Sequence, residues 1–114
     1  MEELSSAMMS SDLLRGHTDT IVLRILSGGD AYGFEIYNRI LERTGGQYEP
    51  KETTLYSSYK RLEADGGIVS YWGDETQGAR RKYYRITDKG REVLIQGLRD
   101  WKFTQKIIND LLEE

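Results

Sequence analysis

Residues 52–86 read ETTLYSSYKRLEADGGIVSYWGDETQGARRKYYRI, and two different periods meet in this stretch. In its first half Leu55, Tyr59 and Leu62 recur at i, i+4 and i+7, the spacing of one face of a helix. The pattern predicts a helix over Glu52–Ala64, entered after Pro50, the chain's only proline, and closed by Asp65-Gly66-Gly67. The opposite face carries Thr54, Ser57, Ser58 and Arg61, small hydroxyls ending in a cation. Past the glycines the pattern changes. Residues 68–72 and 81–86 are rich in β-branched and aromatic residues and read as two strands. The polar loop 73–79, with two glycines, joins them into a hairpin.

Two further helices precede this unit. Over residues 12–27 the apolar positions Leu14, Ile21, Val22, Ile25 and Leu26 keep helical spacing, and Gly28-Gly29 ends the run. Asp30 is read as the N-cap of a second helix over 31–43, with Ile36, Ile40 and Leu41 on its buried stripe and Gly45-Gly46 at its end. Residues 1–11, rich in Ser, Met and Glu without a consistent period, read as a flexible N-terminal tail. After the hairpin, Thr87 or Asp88 caps a last helix that runs to the C-terminus. In it Leu94, Leu98, Trp101, Ile108 and Leu112 follow 4, 3, 7, 4 spacing, with Gln105 at the remaining heptad position. That period is a coiled-coil-like seam.

Three helices followed by a hairpin give a mainly α (α+β) chain with the order of a winged helix-turn-helix. Residues 12–86 form the winged helix-turn-helix, a DNA-binding domain by this reading, and 87–114 a C-terminal dimerisation helix. In such folds the third helix enters the major groove and the wing touches the flanking backbone. Small hydroxyls on the third helix let its backbone approach base edges, and cations beside a glycine in the wing suit phosphates.

Composition excludes several other classes. The 114 residues contain no cysteine and one histidine, His17, so neither a thiolate metal site nor a Cys nucleophile exists, and a triad would rest on His17 alone. No enzyme class, cofactor or metal is expected. No apolar run approaches the ~18 residues of a membrane span, and the acidic N-terminus lacks a secretory pattern, so the expectation is a cytoplasmic protein. The formal net charge is −3, yet residues 51–91 hold nine Lys/Arg against six Asp/Glu, with Arg80, Arg81 and Lys82 consecutive. Local charge on the contacting surface, not overall charge, governs nucleic-acid binding.

The stretches LRG at 14–16, YGFEI at 32–36, TLYSSYKRLEADG at 54–66 and GARRKYYRITDKGREVL at 78–94 resemble the PadR family of bacterial transcriptional regulators. The length and the single C-terminal helix resemble its small subfamily, and SYWGDETQGARRKYYRIT with DWKFTQKIINDLLE is most similar to its multidrug-sensing members. One departure is Gly66-Gly67-Ile68, where the family usually has one glycine. Only a local change at the helix end is expected there.

The resemblance implies a homodimeric repressor that binds a pseudo-palindromic operator in double-stranded DNA and is released by an effector. It maps the recognition helix onto Thr53, Thr54, Tyr56, Ser57, Lys60 and Arg61, and the wing onto Gln77, Gly78, Arg80, Arg81 and Lys82. It also implies that Trp101 lines a pore at the dimer centre, where planar aromatic compounds stack between symmetry-related rings. Around it, Leu94, Gly97, Leu98 and Gln105 line the last helix, and Leu13, Gly16, His17 and Thr20 come from the partner's first helix. Gly97 is expected to leave a gap beside Trp101. Leu94, Leu98, Trp101, Ile108 and Leu112 form the dimer interface. Tyr83, Tyr84 and Trp72 are read as structural packing, and Tyr32 as core. Two competing readings are a winged-helix protein-interaction module, which the negative net charge suits, and a DNA-binding repressor without an effector.

Overall fold

The computed structural model describes residues 14–73 and 80–114. Leu13, Gln77 and Gly78 lie outside the described residues. The elements are α1 (Thr18–Ser27), β1 (Ala31–Tyr32), α2 (Gly33–Arg43), α3 (Glu52–Ala64), β2 (Ile68–Trp72), β3 (Lys82–Ile86) and α4 (Asp88–Leu112). The three strands form one antiparallel sheet in the order β1-β3-β2.

The expected bounds of α3 and β2 hold without change, because each is set by an unambiguous period and closed by glycines. Gly66 takes the left-handed turn after α3, with φ of 81°, and Gly67 packs under α4, so the second glycine has its own use. Two expected helix starts need correction. The first helix starts at Thr18, because Gly16 adopts φ of 90° and breaks the helical run. Residues 14–17 form a turn closed by the His17 N–H donating to the Leu14 carbonyl at 2.9 Å. Asp30 does not cap α2. Ala31 and Tyr32 pair with Tyr84 and Tyr83, covering the outer edge of β3, and Tyr32 stands at the N-cap position instead. The Tyr32 N–H donates to Glu35 at 3.1 Å, while the Asp30 carboxylate accepts from the Tyr71 hydroxyl at 2.6 Å.

The core gathers one face from every element. Val22, Leu23, Ile25 and Leu26 of α1 meet Ile36 and Ile40 of α2, Leu55, Tyr59 and Leu62 of α3, Ile68, Tyr84 and Ile86 of the sheet, and Leu94 of α4. Burial at about 25 cal/mol per Å² of apolar surface is what holds these elements together. Leu41 and Tyr32, both expected inside, are half-buried.

α4 crosses α1 at close range. A Cβ on Gly97 would lie 2.5 Å from Thr20 Oγ1 and 2.9 Å from its Cγ2, so the space beside Gly97 is filled by Thr20 of the same chain. The expected gap is therefore absent. His17 also packs edge-on against Trp101 of its own chain, ring centroids 5.2 Å apart. Both residues, read as belonging to the partner's wall, already join α1 to α4 within one chain. Of the heptad seam only Leu94 is buried; Leu98, Trp101, Ile108 and Leu112 are exposed, as are Phe103, Ile107 and Leu111. No helix among the described residues is long and apolar enough to cross a membrane.

The start of α4 is pinned against the turn after α3. The Thr87 hydroxyl accepts from the Gly90 N–H at 3.0 Å and donates to the Gly66 carbonyl at 2.7 Å. A Cβ on Gly90 would sit 2.1 Å from the Gly67 carbonyl oxygen, a backbone atom with nowhere to go. Gly90→Ala is expected to destabilise the chain by roughly 1–3 kcal/mol through overpacking, despite alanine's higher helix propensity. Urea denaturation measures this; an unchanged or higher midpoint would contradict it.

Candidate nucleic-acid interface

α3 has two functions divided by its faces. Its inner face is anchored by Leu55, Ser58, Tyr59 and Leu62, all buried. Ser58, expected on the outer face, is fully buried and donates to Asp19 Oδ1 at 2.6 Å. It lies next to Leu55 and Leu62 on the wheel, so a polar residue at this angle must find a partner inside. Asp19, in the first turn of α1, also holds Arg61: Nη2 to Oδ1 is 2.7 Å and Nε to Oδ2 is 3.2 Å. The hydrogen bonds and charge of Asp19 hold the Arg61 guanidinium even more firmly in its charged form.

With its inner face fixed, α3 presents Thr53, Tyr56, Ser57 and Lys60 to solvent, while Thr54 is half-buried and Arg61 exposed. The Lys60 ammonium lies 5.5 Å from the centre of the Tyr56 ring. At 100° per residue, Thr54 and Arg61 share one flank of α3. Glu63 lies about half a turn away on the other flank, and Thr53, Ser57 and Lys60 lie between them.

The hairpin stands on the Glu63 side. Lys82 Nζ is 3.8 Å from a Glu63 oxygen and 5.8 Å from the Tyr84 ring centre. Strand alternation thus separates the consecutive cations: Lys82 shares the inner face of β3 with Tyr84 and Ile86, while the Arg81 guanidinium lies 4.8 Å over Tyr32. Arg80 lies 5.9 Å over Trp72, and Arg85 lies 5.2 Å over Tyr71. Tyr71 and Tyr83 stack at 5.6 Å, and Tyr32 meets Tyr83 edge-on at 5.3 Å. Trp72, read as packing, is exposed and serves as a platform for Arg80. These rings hold long cationic side chains upright along the hairpin, and the charges remain at the surface.

Sequence reasoning missed two elements of this surface. Asp19 carried no signal, because its partners lie 39 and 42 residues away. The Tyr32–Arg81 contact depended on β1, which is too short to register as a period. On the other flank of the N-terminal half of α3, Gly33, Phe34 and Tyr37 of α2 border an open groove of about 640 Å³ with Thr53, Tyr56 and Ser57. Tyr37, half-buried, donates its hydroxyl to Glu49. Among the described residues no group of His, Asp and Glu could hold a metal ion.

Helices α1 to α3, the two-stranded hairpin and the edge strand β1 define a winged helix-turn-helix protein. The transcriptional regulator PadR-like family matches residues 22–96, and the chain belongs to it. A structure of a transcriptional regulator from Clostridium thermocellum is 47% identical, with a TM-score of 0.85, covering 93% of this chain and 100% of that one. An uncharacterised protein from Lysinibacillus sphaericus is 42% identical over 106 residues, 93% of this chain and 97% of its own. The crystal structure of Bacillus subtilis PadR in complex with operator DNA is 25% identical with a TM-score of 0.65, covering 75% of this chain and 48% of that one.

The inner face of α3 also carries a cost. The Tyr59 hydroxyl is buried with no hydrogen-bond partner among the described residues. Burial, and to a smaller extent Tyr84 alongside, pushes it well above its ordinary value of 10.0. Such a group supports the fold fully below pH 10 and loses that contribution as pH rises towards the folded value. Tyr59→Phe is expected to leave stability at pH 7 unchanged or higher by up to about 1 kcal/mol, because it removes an unpaired polar atom. It should also reduce the alkaline loss of stability. Thermal unfolding from pH 7 to 11 tests both; a large loss at pH 7 would reveal a hidden partner for the hydroxyl.

Proposed function

We propose that this PadR-family transcriptional regulator is a repressor that binds a pseudo-palindromic operator as a homodimer. The observation that carries the reading is the outer face of α3, with Thr53, Tyr56, Ser57 and Lys60 free of the core beside a hairpin bearing Arg80, Arg81 and Lys82. Small hydroxyls and a lysine suit base edges in the major groove, and the hairpin cations suit phosphates. Thr54 and Arg61 complete the helix contribution, and Gln77 and Gly78 the wing. The Bacillus subtilis PadR complex with operator DNA supports this reading.

The homodimer is supported by α4. Leu98, Trp101, Ile108 and Leu112 leave an apolar stripe that one chain does not cover. A two-fold axis along the stripe covers it with its own copy. Two recognition helices then read half-sites about one helical turn, ~10 bp, or a multiple apart. Removal of residues 98–114 takes away exposed apolar residues and no buried one, so the core of the winged domain is left complete. The truncated chain is expected to sediment as a monomer and to lose the shift of a duplex from its own upstream region. A truncated dimer, or an undiminished shift, would refute the arrangement.

The same axis supports an effector site at Trp101. His17 meets the indole in a T-shaped contact, and Trp101 remains 43% exposed. Two such rings across the axis offer stacking and cation–π contact to a planar aromatic cation. Leu98 and Ile108 supply apolar surroundings, Leu94 being committed to the core of its own chain, and Gln105 stands one turn on without a charge. Because Thr20 fills the space at Gly97, the site lies between the paired indoles rather than beside Gly97. In a Trp72→Phe background, a polycyclic cationic dye is expected to quench Trp101 emission with micromolar affinity. Unchanged emission at saturating dye, or equal binding by Trp101→Ala, would leave a repressor without this sensor.

A further inference from the structure

Behind the Asp19–Arg61 pair lies a second, smaller cleft of about 330 Å³, polar and distinct from the hairpin. Arg15, Gly16, Thr18, Lys51, Thr54 and Arg61 line it. Three cationic side chains from three separate segments therefore converge on one concavity: the turn before α1, the residue preceding α3, and the C-terminal half of α3. The carboxylate beside them, Asp19, is committed to Ser58 and to Arg61. α1 and α3 also both begin at this cleft, so the positive ends of two helix dipoles add to its sign.

The position of the cleft identifies what it meets. A helix with its side chains is about 10–12 Å across, close to the ~12 Å width of the major groove. A helix seated there has a sugar-phosphate backbone along each flank. The hairpin cations occupy the Glu63 flank of α3. Thr54 and Arg61 lie on the opposite flank, and the cleft opens there. We infer that this cleft is a second phosphate clamp, for a backbone phosphodiester of DNA on the α1 side of the recognition helix, and that Asp19 is its positioning residue. The inference rests on the DNA-binding reading above. Asp19 takes two nitrogens of Arg61, whose side chain is 55% exposed, and leaves the remaining edge of the guanidinium for a phosphate oxygen. Lys51 supplies a second, mobile charge and the Thr54 hydroxyl a neutral donor.

The two parts of the inference have separable tests. Lys51→Gln removes one phosphate contact. The slope of log K against log salt should become shallower by about 0.9, with affinity at 0.1 M salt lower by about eightfold. The loss should be equal on a duplex from the protein's own upstream region and on an unrelated duplex of the same length. Arg81→Ala, on the other flank, is the reference. If Arg81→Ala weakens binding and Lys51→Gln leaves affinity and slope unchanged, the clamp is wrong and the DNA-binding reading stands. A Lys51→Gln loss confined to one duplex would mean that Lys51 reads sequence, which also overturns the clamp. If the wild-type chain shifts neither duplex, both readings fall together.

Asp19→Asn separates positioning from simple charge. Asparagine still offers an oxygen to Ser58 but cannot hold Arg61 through two charged oxygens. Removal of a negative charge near DNA should by itself tighten binding to every sequence. A positioning role predicts the opposite sign, a severalfold weakening on both duplexes, measured well below the variant's own melting temperature. A tighter complex would show that Asp19 masks Arg61 instead, and would overturn its assigned role.

Discussion

The contact between Tyr59 and Tyr84, ring centroids 4.6 Å apart, ties α3 to the hairpin of β2 and β3. Both rings are buried, one on α3 and one at the centre of β3, and each strand neighbour of Tyr84 depends on its position: Ser70 across β2 and Ala31 across β1. This packing fixes the rotation of α3 about its axis. Once Leu55, Tyr59 and Leu62 point inward, Thr53, Ser57 and Lys60 have to point outward, because 100° per residue leaves no other arrangement. The Tyr59 hydroxyl has no hydrogen-bond partner among the described residues, so what this side chain contributes here is the packing of its ring.

The net-negative chain keeps the cations of α3 and the hairpin at its surface because charge is distributed by face. Several acidic residues near the interface are occupied inside the protein, while Glu52 in the first turn of α3 stays exposed. Asp19 holds Arg61 and Ser58, Glu63 holds Lys82 and Ser70, Glu49 accepts from Tyr37, and Asp30 accepts from Tyr71. Each of these carboxylates orients a donor instead of facing outward as a bare charge. The aromatic residues of the hairpin act in the same direction, because rings under Arg80, Arg81 and Arg85 restrict long side chains that would otherwise lose more conformational freedom on binding.

α4 is two structures in one helix. Its first three turns belong to the domain: Thr87 caps it, Gly90 lets it touch the turn after α3, Leu94 enters the core, and Gly97 meets Thr20. Beyond Trp101 the apolar residues Phe103, Ile107, Ile108, Leu111 and Leu112 are exposed. A long helix with one half anchored carries the orientation of the winged domain into whatever covers the other half. The His17–Trp101 contact lies at that boundary, on the segment that also leads to the Arg15 cleft.

The sequence alone determined the elements whose signal is local. α3, β2 and the cap of α4 are legible because a period, a glycine pair or a capping hydroxyl marks each within a few residues. The family motifs are legible for the same reason, and so was the outer face of α3 apart from the buried Ser58 and the half-buried Thr54. Tertiary structure alone decided what depends on distant partners. Ala31-Tyr32 became a strand because β3 had an open edge, and two residues carry no period of their own. Ser58 went inside because Asp19 waits there, across 39 residues of sequence. The run Arg80-Arg81-Lys82 was divided between the two sides of the hairpin by the pleat and by Glu63. The space beside Gly97 was filled by Thr20 because two helices crossed where only a missing side chain allowed it. Hydrophobic periodicity is a property of neighbours along the chain; ion pairs, ring contacts and helix crossings exist only once the chain has closed on itself.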